Sequence, residues 1–208
     1  KDNPKHIKTL EKNNIPQIDL VIVNLYPFEE TIANPKCTLE LAVENIDIGG
    51  PTMIRAAAKN YKSITVLTNP NEYDYFSNQL LSGKGKIEEQ YRFELAQNAF
   101  LHTAHYDNVI SNYLSQSKEK IDFPKILNQK MIKKMDMRYG ENPHQKAAFY
   151  TEPNIKNGAL ANFSQIQGKE LSFNNLNDSD TAWECVKLFS DPSCVIVKHA
   201  NPCGVCSD

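Results

Sequence analysis

Residues 18–25, Ile-Asp-Leu-Val-Ile-Val-Asn-Leu, form a short run that is mostly apolar, rich in β-branched side chains and closed by Pro27. Such a run predicts a buried strand of a parallel sheet. Residues 63–68 repeat the pattern. Between the two, Thr38 is placed to cap a helix running through Ile46 with Glu40 in its first turn. Gly49-Gly50-Pro51 then predicts a turn before a further helix over about residues 52–60. After the second run, Asn69-Pro70-Asn71-Glu72 reads as a helix start, with a capping amide, a proline at the first position and an acidic residue behind it. Strand, helix and strand alternate, which predicts an α/β layer on a parallel sheet.

From about residue 87 to 115 the period changes. Leu95, Ala99, Tyr106, Val109, Ile110 and Tyr113 recur at helical spacing, as one long amphipathic helix or two broken ones. Residues 116–130 are polar, carry Lys118, Lys120 and Lys125 around Pro124, and read as an interdomain linker. A second α/β unit is expected beyond it. Its elements are a strand at 147–150, a helix over 178–189 and a buried strand at 194–197 that leads into Lys198-His199.

Composition narrows the class. In 208 residues, 40% are hydrophobic and 23% charged, proportions of a globular chain rather than a disordered one. No apolar run approaches the roughly 20 residues of a membrane helix, so a cytosolic chain is expected. The net charge of -2 offers no broad attraction for nucleic acid or an anionic membrane, so any phosphate site must be local and the ligand small. Five cysteines, an odd number with no secretory leader ahead of them, predict reduced thiols rather than a disulfide framework. A chain that opens on Lys1 and stops at Asp208, just past an apolar strand, is expected to be a piece of a longer one.

Several clusters could carry chemistry. Tyr26, in Asn24-Leu25-Tyr26-Pro27-Phe28, stands at the end of a predicted parallel strand, where open α/β sheets gather ligand groups; the competing reading is that Tyr26 and Phe28 pack. Asp47 precedes Gly49 and Gly50, and a glycine pair before a helix lets backbone N–H groups approach an anion, or simply makes a turn. Arg55 and Lys59 share one helical face across three alanines, facing either a bound anion or solvent. Arg138, Tyr139 and His144 lie in a turn-forming stretch whose guanidinium, phenol and imidazole suit a phosphorylated, polar substrate, against the alternative of a polar surface loop. Lys198 and His199 at a strand end place a cation beside an imidazole whose unperturbed pKa is about 6.5, suited to a neutral base near developing negative charge.

Two patterns are set aside. His102 and His105 share a helical face but have no third ligand at metal spacing, so capping or packing is expected. Pro202-Cys203-Gly204-Val205-Cys206 matches one half of the zinc deaminase signature, but the His-x-Glu half is missing, and these thiols are expected to be buried or incidental.

Taken in order, Asn-Leu-Tyr-Pro-Phe at 24–28, Ile-Asp-Ile-Gly-Gly-Pro-Thr at 46–52, Arg-Ala-Ala-Ala-Lys-Asn at 55–60, His-Thr-Ala-His-Tyr-Asp at 102–107, Arg-Tyr-Gly-Glu-Asn-Pro-His-Gln at 138–145 and Lys-His-Ala-Asn-Pro-Cys-Gly at 198–204 resemble the bifunctional AICAR transformylase/IMP cyclohydrolases of purine biosynthesis, closest to the bacterial members. The resemblance covers essentially the whole chain. It implies the end of a methylglyoxal-synthase-like parallel-sheet cyclohydrolase domain over residues 1–116, a linker over 117–130, and the start of a deaminase-like α/β transformylase domain over 131–208. It also implies a cytoplasmic homodimer acting on the nucleotides AICAR, FAICAR and IMP, with 10-formyltetrahydrofolate as co-substrate and no metal, nucleic-acid or membrane partner.

By the same resemblance, Tyr26, Asp47 and Lys59 act on FAICAR during ring closure, with Gly49 and Gly50 at the substrate. Arg138, Tyr139 and His144 lie near the AICAR nucleotide, and Lys198 and His199 deprotonate its amine and stabilise the transition state of formyl transfer. The family's phosphate-binding loop and an early lysine would precede Lys1, and much of the folate site would follow Asp208. Both sites are therefore expected to be incomplete. The rival from another class is a folded, non-catalytic interaction or dimerisation module, which a natural chain of only these residues would favour.

Overall fold

In the computed structural model, which describes residues 3–117 and 123–208, the first apolar run forms β1 (Leu20–Ile22) and the second forms β2 (Thr65–Leu67). The two pair in parallel, Leu20 opposite Thr65 and Ile22 opposite Leu67. The chain divides into two units, Lys1–Asn128 and Gln129–Asp208. Helix α1 (Pro4–Lys12) opens the first unit, its N-terminus capped by the Asn3 side chain accepting from the Lys5 N–H. Between the strands lie α2 (Phe28–Ala33), α3 (Leu39–Glu44) and α4 (Gly49–Lys59); after β2 come a 3-10 turn at Pro70–Glu72, α5 (Tyr73–Ser82) and α6 (Glu89–Gln116).

The core of this unit gathers along α6. Ala96 and Ala99 meet Ile54, Ala57 and Ala58 of α4 with Val66 of β2, and alanine on both sides lets the helices approach closely. Leu95 packs with Leu67 and Phe76, and Tyr106 with Phe28 and Ala42. Phe28 meets the rings of Tyr106 and Tyr113 edge-on at 6.3 and 5.8 Å, geometry favoured by the ring quadrupoles. Burying a side chain such as Phe28 or Ile54 contributes about 1.5–3 kcal/mol.

Thr38 caps α3 as expected, accepting from the Leu41 N–H, and Asn69 accepts from Asn71 N–H at the start of the 3-10 turn. The apolar stretch over 87–115 becomes a single helix. In this unit two expectations need correction. β2 is buried throughout, but Leu20 and Ile22 of β1 stay 38% and 49% exposed. Val21, Val23 and Leu25 turn inward with period two, and α4 packs against that face while the alternate residues point away. Nor do Gly49-Gly50-Pro51 form a turn ahead of the helix; they are its first three residues. Proline is tolerated there because an N–H in the first turn has no intrahelical acceptor. Of the expected linker, Lys118 and Lys120 lie outside the described residues, and Pro124 and Lys125 have no regular structure.

In the second unit, β3 (Ile132–Met137) pairs antiparallel with β4 (Ala147–Thr151), and β5 (Ser193–Lys198) pairs antiparallel with β6 (Asn201–Ser207); α7 (Phe173–Val186) packs on β5 and β6. The helix expected over 178–189 begins five residues earlier, because Ser172 forms a reciprocal capping box with Asn175. Nor is β5 a buried strand. Its exposure alternates, with Ile196 60% exposed, because α7 covers one face. Cys203 and Cys206 are exposed, so of the two readings of these thiols, buried or incidental, burial does not hold.

Candidate active-site clusters

Asp47 organises the first cluster. Its carboxylate Oδ1 accepts from the Gly50 N–H at 2.7 Å and Oδ2 from the Tyr26 N–H at 3.3 Å, while its own N–H donates to the Tyr106 hydroxyl at 2.8 Å. The helix end therefore already holds an anion in the form of this carboxylate, where the partial positive charge of the α4 N-terminus favours it. Gly50 is needed for that closeness. A Cβ there would stand 2.6 Å from both Asp47 Oδ2 and Leu25 Cδ2, whereas one on Gly49 would meet nothing within 4 Å. Burial pushes the Tyr106 phenol pKa up, and the charges of Asp47 and Asp107 push the same way against the Asp47 N–H, which favours the phenolate.

Tyr26 is held by its backbone, and the residue is 57% exposed at a cavity of about 330 Å³ that Asn24, Glu29, Thr68, His102 and His105 also line. His105 Nε2 lies 3.2 Å from Glu29 Oε1, and His105 Nδ1 is buried without a hydrogen-bond partner. The histidine face expected to cap or pack thus borders the cavity beside Tyr26. Among the described residues no group of three or more His, Cys, Asp or Glu is arranged to hold a metal ion. Lys59 stands apart. It is the last residue of α4, roughly 15 Å along the axis from Gly49 at about 1.5 Å per residue. The Arg55 guanidinium lies over the Phe100 ring at 5.4 Å.

The second cluster is built around the start of α7. Arg138 N–H donates to Leu171 O and Phe173 N–H to Tyr139 O, at 2.9 and 3.1 Å, which ties residues 138–139 to the helix entrance. Arg138 lies over the Tyr139 ring at 4.9 Å, and its Nη2 donates to the phenol oxygen at 3.3 Å. A hydrogen bond with Ser172, then the hydrogen bond and charge of Arg138, hold the Tyr139 phenol below its ordinary pKa. The loop after it closes through Gly140 N–H to Gln145 O and Asn142 N–H to Gln145 Oε1, and Asn174 Nδ2 donates to Glu141 O. His144 is exposed on that loop.

Lys198 ends β5 opposite Asn201, so His199 and Ala200 alone make the hairpin turn. Both have positive φ, +53° and +55°. Two left-handed residues in a two-residue hairpin are the signature of a type I′ turn, which favours Asn and Gly. For L-residues such as these the conformation costs roughly 1–2 kcal/mol each. Side chains secure it: Ala200 N–H donates to Asp178 Oδ1 at 2.7 Å, and Asn201 Nδ2 to His199 O at 2.7 Å.

Residues 57–208 match the family model described as AICARFT/IMPCHase bienzyme, and residues 1–52 match the MGS-like domain. The chain belongs to the AICARFT/IMPCHase bienzyme family. It is similar to "Bifunctional purine biosynthesis protein PurH" of Neisseria meningitidis serogroup A, 52% identical over 213 residues covering 99% of this chain and 40% of that protein. The protein of the same description from Neisseria gonorrhoeae is 51% identical over the same shares. This chain thus spans 40% of the length of these relatives. A solved structure described as "Crystal structure of ForH" aligns with a TM-score of 0.49 at 29% identity, over 58% of this chain and 62% of that one. Within this chain the MGS-like match comes first, with Tyr26, Asp47, Gly49 and Gly50 inside it, and the small parallel sheet joins Leu20–Ile22 within that match to Thr65–Leu67 beyond it.

Three residues that shape these clusters have no role that the sequence alone assigns. The helical spacing of Tyr106 predicts a core position and says nothing about where its hydroxyl points. Ser172 was detectable as a Ser-x-x-Asn cap. The sequence predicts Asp178 at a helix start, and only the folded hairpin brings the Ala200 N–H to it.

Proposed function

We propose that the intact protein performs two consecutive steps of purine-nucleotide synthesis: formyl transfer from 10-formyltetrahydrofolate to AICAR, and closure of FAICAR to IMP with loss of water. The bienzyme match over residues 57–208 carries this reading, because it runs through both Lys59 and the Lys198-His199 turn. The proposal extends to a homodimer in the cytoplasm, where these nucleotides are the small-molecule partners and the folate is a co-substrate.

In formyl transfer the AICAR amine attacks the formyl carbon, a C–N bond forms, and the C–N bond to the folate breaks as that nitrogen takes up a proton. The amine is a weak nucleophile because its lone pair is delocalised into the imidazole and carboxamide. His199 accepts its proton as the bond forms, and Lys198 stabilises the oxyanion that develops on the formyl group. Arg138, Tyr139 and His144 hold the nucleotide, Arg138 by paired hydrogen bonds to phosphate or carboxamide oxygen.

Ring closure joins the carboxamide nitrogen to the formyl carbon. Tyr26 supplies a proton to the oxygen that leaves as water, Asp47 holds Tyr26 and the α4 N-terminus in register, and the Gly49 end of that helix faces the substrate. Because Lys59 lies at the other end of α4, it meets a different part of FAICAR from Tyr26 rather than the same oxygen.

The test is to supply the intact protein with AICAR and 10-formyltetrahydrofolate and to follow FAICAR and IMP separately. His199→Ala and Lys198→Ala are each expected to slow transfer by roughly a hundredfold while added FAICAR still closes at the unaltered rate. Transfer at an unaltered rate in both variants would remove the pair from the chemistry.

A further inference from the structure

The geometry points to Asp178 as a positioning residue that pins the His199-Ala200 turn and thereby presents the His199 imidazole for proton removal. This inference rests on the reading of Lys198 and His199 as the formyl-transfer pair. Two observations carry it. The turn is made of two residues with side chains held at positive φ, where glycine or asparagine is favoured. Backbone in that region persists when its surroundings over-determine it, and such positions cluster at functional sites. Both polar groups of its central peptide are held by side chains, Ala200 N–H by Asp178 and His199 C=O by Asn201.

Asp178 differs from Asn201 in where it comes from. Asn201 belongs to the hairpin itself, so its bond closes the turn without fixing it to anything else. Asp178 is the sixth of the 14 residues of α7, a helix whose start is fixed by the Ser172–Asn175 box and whose entrance is tied to Arg138 and Tyr139. Its bond therefore refers the imidazole to the same helix that orders the proposed nucleotide-binding residues. A carboxylate accepting from a backbone N–H at 2.7 Å is a strong, directional link, and rotation of the 199–200 peptide would swing the histidine away from the amine. A misplacement of about 1 Å at a reacting centre can cost on the order of a hundredfold in rate.

The experiment uses the intact protein and three variants, Asp178→Ala, Asp178→Asn and Asp178→Ala combined with Ala200→Gly. Hydrogen exchange at the Ala200 amide reads the pin directly, and steady-state formyl transfer with AICAR and 10-formyltetrahydrofolate reads its consequence. Asp178→Ala should speed Ala200 exchange and lower kcat for transfer by roughly tenfold to a hundredfold with little change in KM for AICAR. Asp178→Asn, which keeps an acceptor oxygen, should restore most of the rate, and Ala200→Gly should restore part of it by admitting positive φ without steric cost. Unchanged Ala200 exchange in Asp178→Ala would overturn the pin. Equal losses in the Ala and Asn variants, or an unaltered kcat where His199→Ala is slow, would overturn the positioning role. If His199→Ala itself transfers formyl at the normal rate, the underlying site reading fails, and Ala200 exchange still decides whether Asp178 holds the turn.

Discussion

Neighbouring glycines at the start of α4 have opposite tolerances. A side chain on Gly50 would enter space held by Leu25 and by Asp47, and Asp47 is tied at three points to Tyr26, Gly50 and Tyr106. Gly50→Ala is therefore expected to lower stability by about 1–3 kcal/mol, as overpacking does. Gly49→Ala, with open space around it, should be neutral or stabilising by up to about 1 kcal/mol, because alanine is the better helix former. Urea unfolding of the two variants checks both signs. Tyr106 gives a pH-dependent counterpart. Its folded pKa is raised above the ordinary 10.0, chiefly by burial, so the folded state binds a proton that the unfolded state releases. The associated stability is full below pH 10 and is lost as pH rises through the folded pKa. Tyr106→Phe removes the acceptor of the Asp47 N–H and should cost about 1 kcal/mol at neutral pH. That deficit should shrink above pH 10 in unfolding measured across the alkaline range, since phenylalanine has no proton to lose.

At the scale of elements, α7 is where sequence reading fell short and where it can be tested. The stretch Phe173-Asn174-Asn175-Leu176-Asn177 looks poorly helical because asparagine competes for backbone hydrogen bonds, yet in place it supplies the capping box and the tie to Glu141. β3 was not anticipated because Lys133, Lys134 and Asp136 hide any alternation; pairing with β4 defines the strand. The buried run of β2, the cap at Thr38 and the long α6 were legible, because each depends on neighbours along the chain. Ser172→Ala should cost about 1 kcal/mol through the lost cap. It should also raise the Tyr139 pKa toward 10.0, since the Ser172 bond is the largest cause of its depression. The stability from a depressed phenol pKa is fully present above the unfolded value of 10.0 and is lost as pH falls through the folded value, so the neutral-pH loss reports the cap alone. Ultraviolet titration resolves the shift among nine tyrosines by difference from Tyr139→Phe.

For the whole molecule, the ordered motifs made the family legible, whereas the arrangement within each cluster was not, because hydrogen bonds such as Tyr106 to Asp47 and Asp178 to Ala200 join residues distant in sequence. Lys59 is the sharpest remaining case. Resemblance groups it with Tyr26 and Asp47, and the helix sets it roughly 15 Å from Gly49. If FAICAR spans that distance, Lys59→Ala should slow cyclisation by on the order of a hundredfold and leave formyl transfer within about twofold. Since Lys59 and Lys198 belong to different units, Lys198→Ala should do the reverse, and the double variant should show each loss undiminished, as independent sites do. The two rates must be measured separately, one from added FAICAR and one from AICAR with 10-formyltetrahydrofolate. Cyclisation unaffected by Lys59→Ala would leave ring closure to the Tyr26 and Asp47 end of α4 alone. A fall in both rates from either single substitution would mean that the units do not work independently.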